Sequence, residues 1–269
     1  MNQAIGVIDS GVGGLTVAQE LMRQLPKEKL IYLGDTKRCP YGPRSKEEVQ
    51  KFTWEMVNFL LKKEIKTLVV ACNTATAFTL PLLRKNLTIP VIGVIKPGAR
   101  AAIKSTRNHY IGVIGTEGTI RSHAYDNALK RLHTNIYVNS LACPTLVPMV
   151  EQGVFSGDYA EKVVEQSLLE MKANNDIDTL ILGCTHYPLI KDTIQKVIGD
   201  HVTIVSSSEE TARETSTILD VHDLLYKGNK VPHHEFYMTG DLDMFTNISN
   251  RIFQNTVDLR YEIVDLSNS

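Results

Sequence analysis

Two stretches of this sequence are one motif written twice: "IKTLVVACNTAT" from Ile65 to Thr76 and "IDTLILGCTHYP" from Ile177 to Pro188, with Cys72 and Cys184 in equivalent places. The correspondence extends outward. "IGVIDS" from Ile5 to Ser10 is echoed by "IGVIGT" from Ile111 to Thr116, each preceding its own cysteine motif by a similar distance, and a looser match pairs Ile92 with Ile204. Three matches in the same order specify two related units, roughly a hundred residues apart. A repeat count of two does not build a solenoid, whose units stack in series to bury a continuous core; it requires a pseudo-symmetric pair.

Within each unit, short β-branched runs alternate with helical patterns. Ala4 to Ile8, Leu30 to Leu33, Leu68 to Ala71, Val91 to Val94, Ile111 to Ile114, Leu180 to Leu182 and Val202 to Val205 read as strands. Near-continuous apolar runs of this kind belong to strands buried on both faces, the pattern of a parallel sheet covered by helices. Ser45 followed by Glu48 is a capping-box signal, after which Val49, Phe52, Met56, Phe59 and Leu60 recur at helical spacing. Ser207 and Glu210 repeat the signal before a helix expected to reach about Leu225. The expected fold is α/β: two pseudo-symmetric domains, each a mainly parallel sheet flanked by helices, with the active site in the cleft between them. Residues 1–97 with 207–269 form the expected first domain and 98–206 the second, the chain crossing over at Ile95 to Ala99.

Composition narrows the function classes. The 29 Lys and Arg against 30 Asp and Glu leave a net charge of -1, which gives no electrostatic footprint for nucleic acid or an anionic membrane. No apolar run approaches the length that spans a bilayer. The first residues run straight into a strand pattern instead of the basic and apolar regions of a secretory signal. Cys39, Cys72, Cys143 and Cys184 are too scattered for a disulfide framework and form no CxxC, so free thiols in a reducing cytoplasm are expected.

The matched thiols carry the chemical argument. Each stands where an apolar strand gives way to polar residues that open a helix: Asn73, Thr74 and Thr76 after Cys72, Thr185 and His186 after Cys184. That carboxyl edge is where parallel α/β sheets bind ligands. A helix N-terminus stabilises a thiolate, which predicts depressed thiol pKa values. The halves are not identical, because His186 has Thr74 as its counterpart and Asp9 has Gly115. A carboxylate beside one thiol and an imidazole beside the other suit two proton-transfer groups tuned separately. A lone cysteine at a strand end is more often a small buried apolar residue, the reading that fits the unmatched Cys143; Cys39, beside Pro40 to Gly42, stays open. Asp9 alone reads equally well as the N-cap of a helix beginning near Gly13. Gly11, Gly13 and Gly14 follow a strand, yet Thr16 replaces the third glycine of a dinucleotide fingerprint. Turn geometry and close backbone approach to a small anionic ligand account for them instead.

Several segments together resemble bacterial glutamate racemases, members of the cofactor-independent aspartate/glutamate racemase superfamily. They are "GVIDSGVGGLTV" near the start, "YLGDTKRCPYGPRS" from Tyr32, "VVACNTATA" from Val69, "VEQGVFSG" from Val150 and "LILGCTHYPLI" from Leu180, covering essentially the whole chain. The resemblance implies an isomerase that inverts glutamate with no cofactor and no metal. One thiolate removes the α-proton while the opposite thiol protonates the other face, Cys72 acting on the D enantiomer and Cys184 on the L. It implies that Asp9 assists Cys72, and that Glu151 and His186 assist Cys184. It also implies that substrate is held by Asp9, Ser10, Pro40, Tyr41, Gly42, Asn73, Thr74, Thr76, Thr116, Thr119, Thr185 and His186. Backbone N–H groups and the hydroxyls of Ser10, Thr74, Thr76 and Thr185 are the expected partners of the substrate carboxylates. His186 in "GCTH" is similar to the glutamate enzymes, where aspartate racemases often carry an acidic residue.

The resemblance further implies a cytoplasmic bacterial homodimer supplying D-glutamate for peptidoglycan, with L- and D-glutamate as its small-molecule partners and neither nucleic acid nor membrane. Other readings stand beside it. An aspartate or related amino-acid racemase would share the frame. A cysteine hydrolase would use Cys184 and His186, but neighbours in a turn rarely reach each other and Cys72 would be unexplained. A zinc site from Cys72, Cys184 and His186 lacks local ligand spacing. A binding protein without catalysis leaves the paired thiols without a role.

Overall fold

The protein is described by a computed structural model over residues 2–173, 176–254 and 259–266. Segments 255–258 and 267–269 of the expected first domain, and 174–175 of the second, lie outside the described residues.

The strands are β1 (Ile5–Asp9), β2 (Leu30–Gly34), β3 (Thr67–Val70), β4 (Val91–Gly93), β5 (Tyr110–Gly115), β6 (Tyr137–Ala142), β7 (Thr179–Gly183), β8 (Thr203–Ser206), β9 (Glu235–Met238) and β10 (Arg260–Ile263). They form one sheet in the order β10-β9-β2-β1-β3-β4 and another in the order β6-β5-β7-β8. Every pairing is parallel. The second sheet therefore repeats the β2-β1-β3-β4 core of the first, and its register repeats too. Ile5 lies against Leu30 and Thr67, as Ile111 lies against Val138 and Thr179. The looser third match is displaced by one residue: Leu68 pairs with Val91 and Leu180 with Ile204, so Ile204 occupies the place of Val91, not Ile92. A one-residue shift exchanges the two faces of a strand, which sequence similarity between apolar residues does not detect.

Three strands carry no such apolar run. β6 and β10 are edge strands with mostly half-buried or exposed residues, and β9 is a four-residue run, EFYM. The last two extend the first sheet beyond β2, bringing the described part of 207–269 back to it.

Helix boundaries follow local chemistry. The helix Lys46–Leu61 begins on the expected box: Glu48 N–H donates to Ser45 Oγ at 3.2 Å and Ser45 N–H to Glu48 Oε2 at 3.0 Å. The helix Ser207–Val221 is capped by Ser206, one residue before the expected cap, and stops short of Leu225. Asp223 takes a φ of 54° and Leu224 N–H closes on the Leu219 carbonyl at 2.7 Å, which ends the helix. Its last carbonyls are thereby satisfied. The crossover at Ile95 to Ala99 is the first turn of a helix, Ile95–Ser105, where Pro97 sacrifices no intrahelical hydrogen bond.

At the amino edge of the first sheet, Lys66 Nζ and Glu28 Oε2 meet at 2.5 Å with side chains 0% and 3% exposed. The pair is also hydrogen-bonded outward, Lys66 to the Leu224 carbonyl at 2.8 Å and Glu28 from Tyr226 N–H at 2.7 Å. It clamps the end of the 207–226 segment beneath β2 and β3. Among the described residues no helix is long and apolar enough to cross a membrane.

Candidate active site

Cys72 follows β3 and caps the helix Asn73–Asn86. Its sulfur accepts the Ala75 N–H at 3.4 Å, and its thiol donates to Ser10 Oγ, just past β1, at 3.4 Å. Cys184 holds the matching place after β7, but no α-helix opens there. A 3₁₀ turn, Tyr187–Ile190, intervenes before the helix Lys191–Ile198. Pro188 has no N–H to give, and Tyr187 hydroxyl anchors the turn on the Cys143 carbonyl at 3.0 Å. The turn brings His186 Nδ1 back to 3.7 Å from Cys184 Sγ, so these near neighbours do reach each other, against the sequence expectation.

The carboxyl edges of the two sheets enclose one small cavity. Cys72 and Cys184 line it together with Ser10, Pro40, Tyr41, Gly42, Asn73, Thr74, Thr116, Thr185 and His186. Val147 and Gly183 complete the wall. Neither was foreseen: Val147 sits in the short apolar helix Leu146–Glu151 and carries no polar signal, while Gly183 reads as part of its strand. The space open to a water's centre is about 10 Å³, room for roughly one water. Asn73 Oδ1 accepts from Tyr125 hydroxyl at 2.8 Å, leaving its buried Nδ2 without a partner at the cavity wall.

Four expected residues stand elsewhere. Asp9 is buried one layer back, accepting Gly11 N–H at 2.9 Å and Thr185 hydroxyl at 3.1 Å. It does not cap the following helix, Leu15–Gln24, whose N-cap is Gly14. Thr119 supports Thr74 and Thr116, each 3.1 Å from it and 2.7 Å from one another. Thr76 departs from the expected set: its hydroxyl turns back to the Val70 carbonyl at 2.9 Å, and it lines a different cavity, between helices. Glu151 backs His186, with Oε1 2.5 Å from Nε2.

Burial dominates the electrostatics. It pushes the Cys72 thiol up to about 12, reinforced by the Asp9 charge and only partly offset by Ser10 and the Ala75 N–H. The helix N-terminus does not depress that pKa as expected, because loss of water outweighs it. Burial also raises Asp9, against the charge of His186, the N–H groups of Gly11 and Gly14, and the Thr185 hydroxyl. Around His186 the balance reverses. Burial opposes the imidazolium, but hydrogen bonds to Cys184, Cys39 and Glu151, with the Glu151 charge, hold its pKa well above 6.5. Burial likewise opposes the Glu151 carboxylate, yet the His186 hydrogen bond and charge bring it below its ordinary 4.5.

The glycine loop after β1 serves contact between the halves. A Cβ on Gly13 would stand 2.5 Å from Thr185 Oγ1 and 2.6 Å from His186 Nδ1. The left-handed glycines are Gly153, Gly157 and Gly199, so the loop at 11–14 is glycine for space rather than for turn geometry.

The chain's relatives are consistent with this arrangement. The family described as Asp/Glu/hydantoin racemase matches residues 5–215. The glutamate racemase of Oceanobacillus iheyensis is 67% identical over 256 residues, covering 95% of this chain and 93% of that protein. Among solved structures, a glutamate racemase isoform from Bacillus anthracis superposes with a TM-score of 0.93 at 55% identity, covering 98% of each chain. The glutamate racemase from Francisella tularensis, solved in complex with D-glutamate, has a TM-score of 0.90 at 37% identity, covering 100% of this chain and 99% of that one.

Proposed function

The chain belongs to the Asp/Glu/hydantoin racemase family, and we infer that it interconverts L- and D-glutamate with Cys72 and Cys184 as its two acid/base groups. The observation that carries this is that two matched thiols line one cavity, each delivered from a different sheet by the equivalent strand of the duplicated frame. The enzyme is an isomerase and its substrate is glutamate, as in the relatives.

For L-glutamate, the Cys184 thiolate takes the α-proton and the electron pair passes into the carboxylate system of a planar intermediate. The Cys72 thiol then donates its proton to the opposite face. The D enantiomer runs the same path backwards. Burial keeps Cys72 protonated, so it is poised as the acid of the L-to-D direction. His186 faces Cys184 as a charged hydrogen-bond partner, fixed by Glu151. Asp9 stands behind Thr185 and raises the cost of charge on Cys72 until the substrate ammonium balances it. Asn73 Nδ2, Ser10, Thr74, Thr116 and Thr185 supply donors for the carboxylates; Tyr41 and Gly42 wall the cavity. No cofactor or metal is needed for these steps. In this reading 1–97 with 207–269 and 98–206 are the two domains that close on the substrate, and the family suggests a cytoplasmic homodimer feeding D-glutamate to peptidoglycan precursors.

The test is incubation of either enantiomer in deuterated water without pyridoxal phosphate or metal. Racemisation with deuterium entering the α position is expected. Cys72→Ser and Cys184→Ser should each lose roughly two to four orders of magnitude, the usual scale of a positioned acid or base. Full activity in both variants would overturn the assignment.

A further inference from the structure

Cys39 takes no part in the proton transfers above, yet it points at the residues that support one of them. Its Sγ lies 3.4 Å from Glu151 Oε1, which lies 2.5 Å from His186 Nε2, and one donor atom from each of the three falls within 4.8 Å of the others. These are a thiol, a carboxylate and an imidazole, the donor set that zinc prefers. We propose that Cys39, Glu151 and His186 form an inhibitory site for a thiophilic divalent cation such as Zn²⁺, at the Nε2 edge of the imidazole whose Nδ1 faces Cys184.

Geometry and space both point to a shared ion. Ligands about 2.0–2.3 Å from a tetrahedral zinc stand roughly 3.4–3.6 Å apart, which the Cys39–Glu151 separation already meets. The His186–Glu151 contact, at 2.5 Å, holds a proton that the metal would replace, the two side chains moving apart by about 1 Å to reach tetrahedral spacing. The space between the donors is kept free by Gly11: a Cβ there would stand 2.6 Å from Glu151 Oε1, 2.9 Å from Cys39 Sγ and 3.5 Å from His186 Nε2. Three donors converge on a point that any larger residue would fill. Cys39 and Glu151 are partly exposed, so an ion reaches them from solvent, whereas His186 is 1% exposed.

Binding balances without a further reactant. The Cys39 thiol and the His186 Nε2–H give their protons to solvent, and sulfur, nitrogen and carboxylate oxygen each donate a lone pair to the ion. Thiolate and carboxylate together neutralise the dication, leaving a fourth position for water. His186 is then held by the metal and no longer offers Cys184 a charged partner. The inhibitory consequence rests on the racemase reading, whereas metal binding does not.

Two readouts separate them. Co²⁺ added to the reduced full-length protein should produce the near-ultraviolet charge-transfer band of a cobalt–thiolate bond. The band should persist in Cys72→Ser and Cys143→Ser and vanish in Cys39→Ala. Zn²⁺ titrated calorimetrically should bind one ion per chain, at least about tenfold more weakly, about 1.4 kcal/mol, in Cys39→Ala and in Glu151→Gln. Racemisation should be inhibited by Zn²⁺ and restored by EDTA, with the inhibition, scaled to each protein's own rate, shifted at least tenfold in Cys39→Ala. Retention of the cobalt band in Cys39→Ala, its loss in Cys72→Ser, or absence of Zn²⁺ binding to the native protein would each overturn the site. Far-ultraviolet circular dichroism of Cys39→Ala excludes misfolding as the cause. A protein that binds the metal through Cys39 but fails to racemise glutamate would sink the catalytic reading alone.

Discussion

Replacing Glu151 by Gln tests the division of labour between the two thiols. The His186–Glu151 pair spans 2.5 Å with side chains 2% and 16% exposed, so solvent screens it little. Gln keeps an oxygen able to accept from Nε2–H but removes the charge. A hydrogen bond to a charged group contributes about 1.5–3 kcal/mol against about 1 for a neutral one, so the exchange costs about 0.5–2 kcal/mol. Because one pKa step is about 1.4 kcal/mol, the His186 pKa should fall by about one unit. The same energy in the transition state is roughly a tenfold loss of rate.

Enantiomers have equal free energies in water, so kcat/KM must fall equally in both directions. The asymmetry should appear in the isotope effect. If His186 serves Cys184, proton removal from L-glutamate becomes the slower step, and α-deuterated L-glutamate should show an enlarged effect while α-deuterated D-glutamate does not. The alkaline limb of the pH profile should move about one unit toward neutrality. An enlarged effect on the D side, or an unmoved alkaline limb with undiminished rate, would refute the assignment of this pair to Cys184. Stability supplies a separate check. His186 has a raised folded pKa, so its contribution is complete below 6.5 and is lost as pH rises through the folded value. Glu151 has a lowered one, so its contribution is complete above 4.5 and is lost as pH falls through the folded value. The stability gap between native protein and Glu151→Gln should be widest between those two pH values.

Two further outcomes follow from burial. Iodoacetamide should label Cys72 slowly at neutral pH in the unliganded protein and faster as pH climbs toward about 12; mass spectrometry of the Cys72 peptide reads this, and rapid pH-independent labelling would show a thiolate the closed cleft should not hold. Lys66→Met strands Glu28 in the core and should cost about 3–5 kcal/mol in urea unfolding, whereas adding Glu28→Leu should restore much of it. A double variant as unstable as the sum of the singles would show that the buried pair is not the cause.

The strand frame was legible because buried parallel strands must be apolar on both faces, and that leaves a recognisable run at β1, β2, β3, β4, β5, β7 and β8. β6 and β10 escaped because their residues are half-buried or exposed, so no continuous apolar run is required of them. Cys72 and Cys184 were legible because each closes such a run. Their protonation was not: a sequence shows that a helix begins at Asn73 but not that the opposing sheet strips water from the thiol in front of it. The turn after Cys184 hid similarly, since "CTHYP" reads as the start of a helix until the position of Tyr187 hydroxyl on Cys143 is known. Thr76 lies one helical turn beyond Cys72, near enough in sequence to suggest the cleft, but its hydroxyl bonds to Val70.

The asymmetry between the halves acts across the cleft. Asp9, from the first sheet, receives Thr185 from the second; Thr74 meets Thr116; Gly118 N–H donates to the Gly42 carbonyl at 2.9 Å; Val12 N–H donates to Glu151 at 3.5 Å. A cavity with room for about one water is smaller than glutamate, so the proposed racemisation requires these contacts to part as substrate enters. Parting them returns water to Asp9 and Cys72, and with it removes the desolvation that raises both. Closure on bound substrate expels that water again, but now beside an ammonium. The charge that burial opposes on Cys72 is the charge the substrate ammonium compensates. If Cys72 is the base for D-glutamate, its thiolate is thereby tied to occupancy, and a thiol that burial keeps neutral becomes a base beside the substrate ammonium.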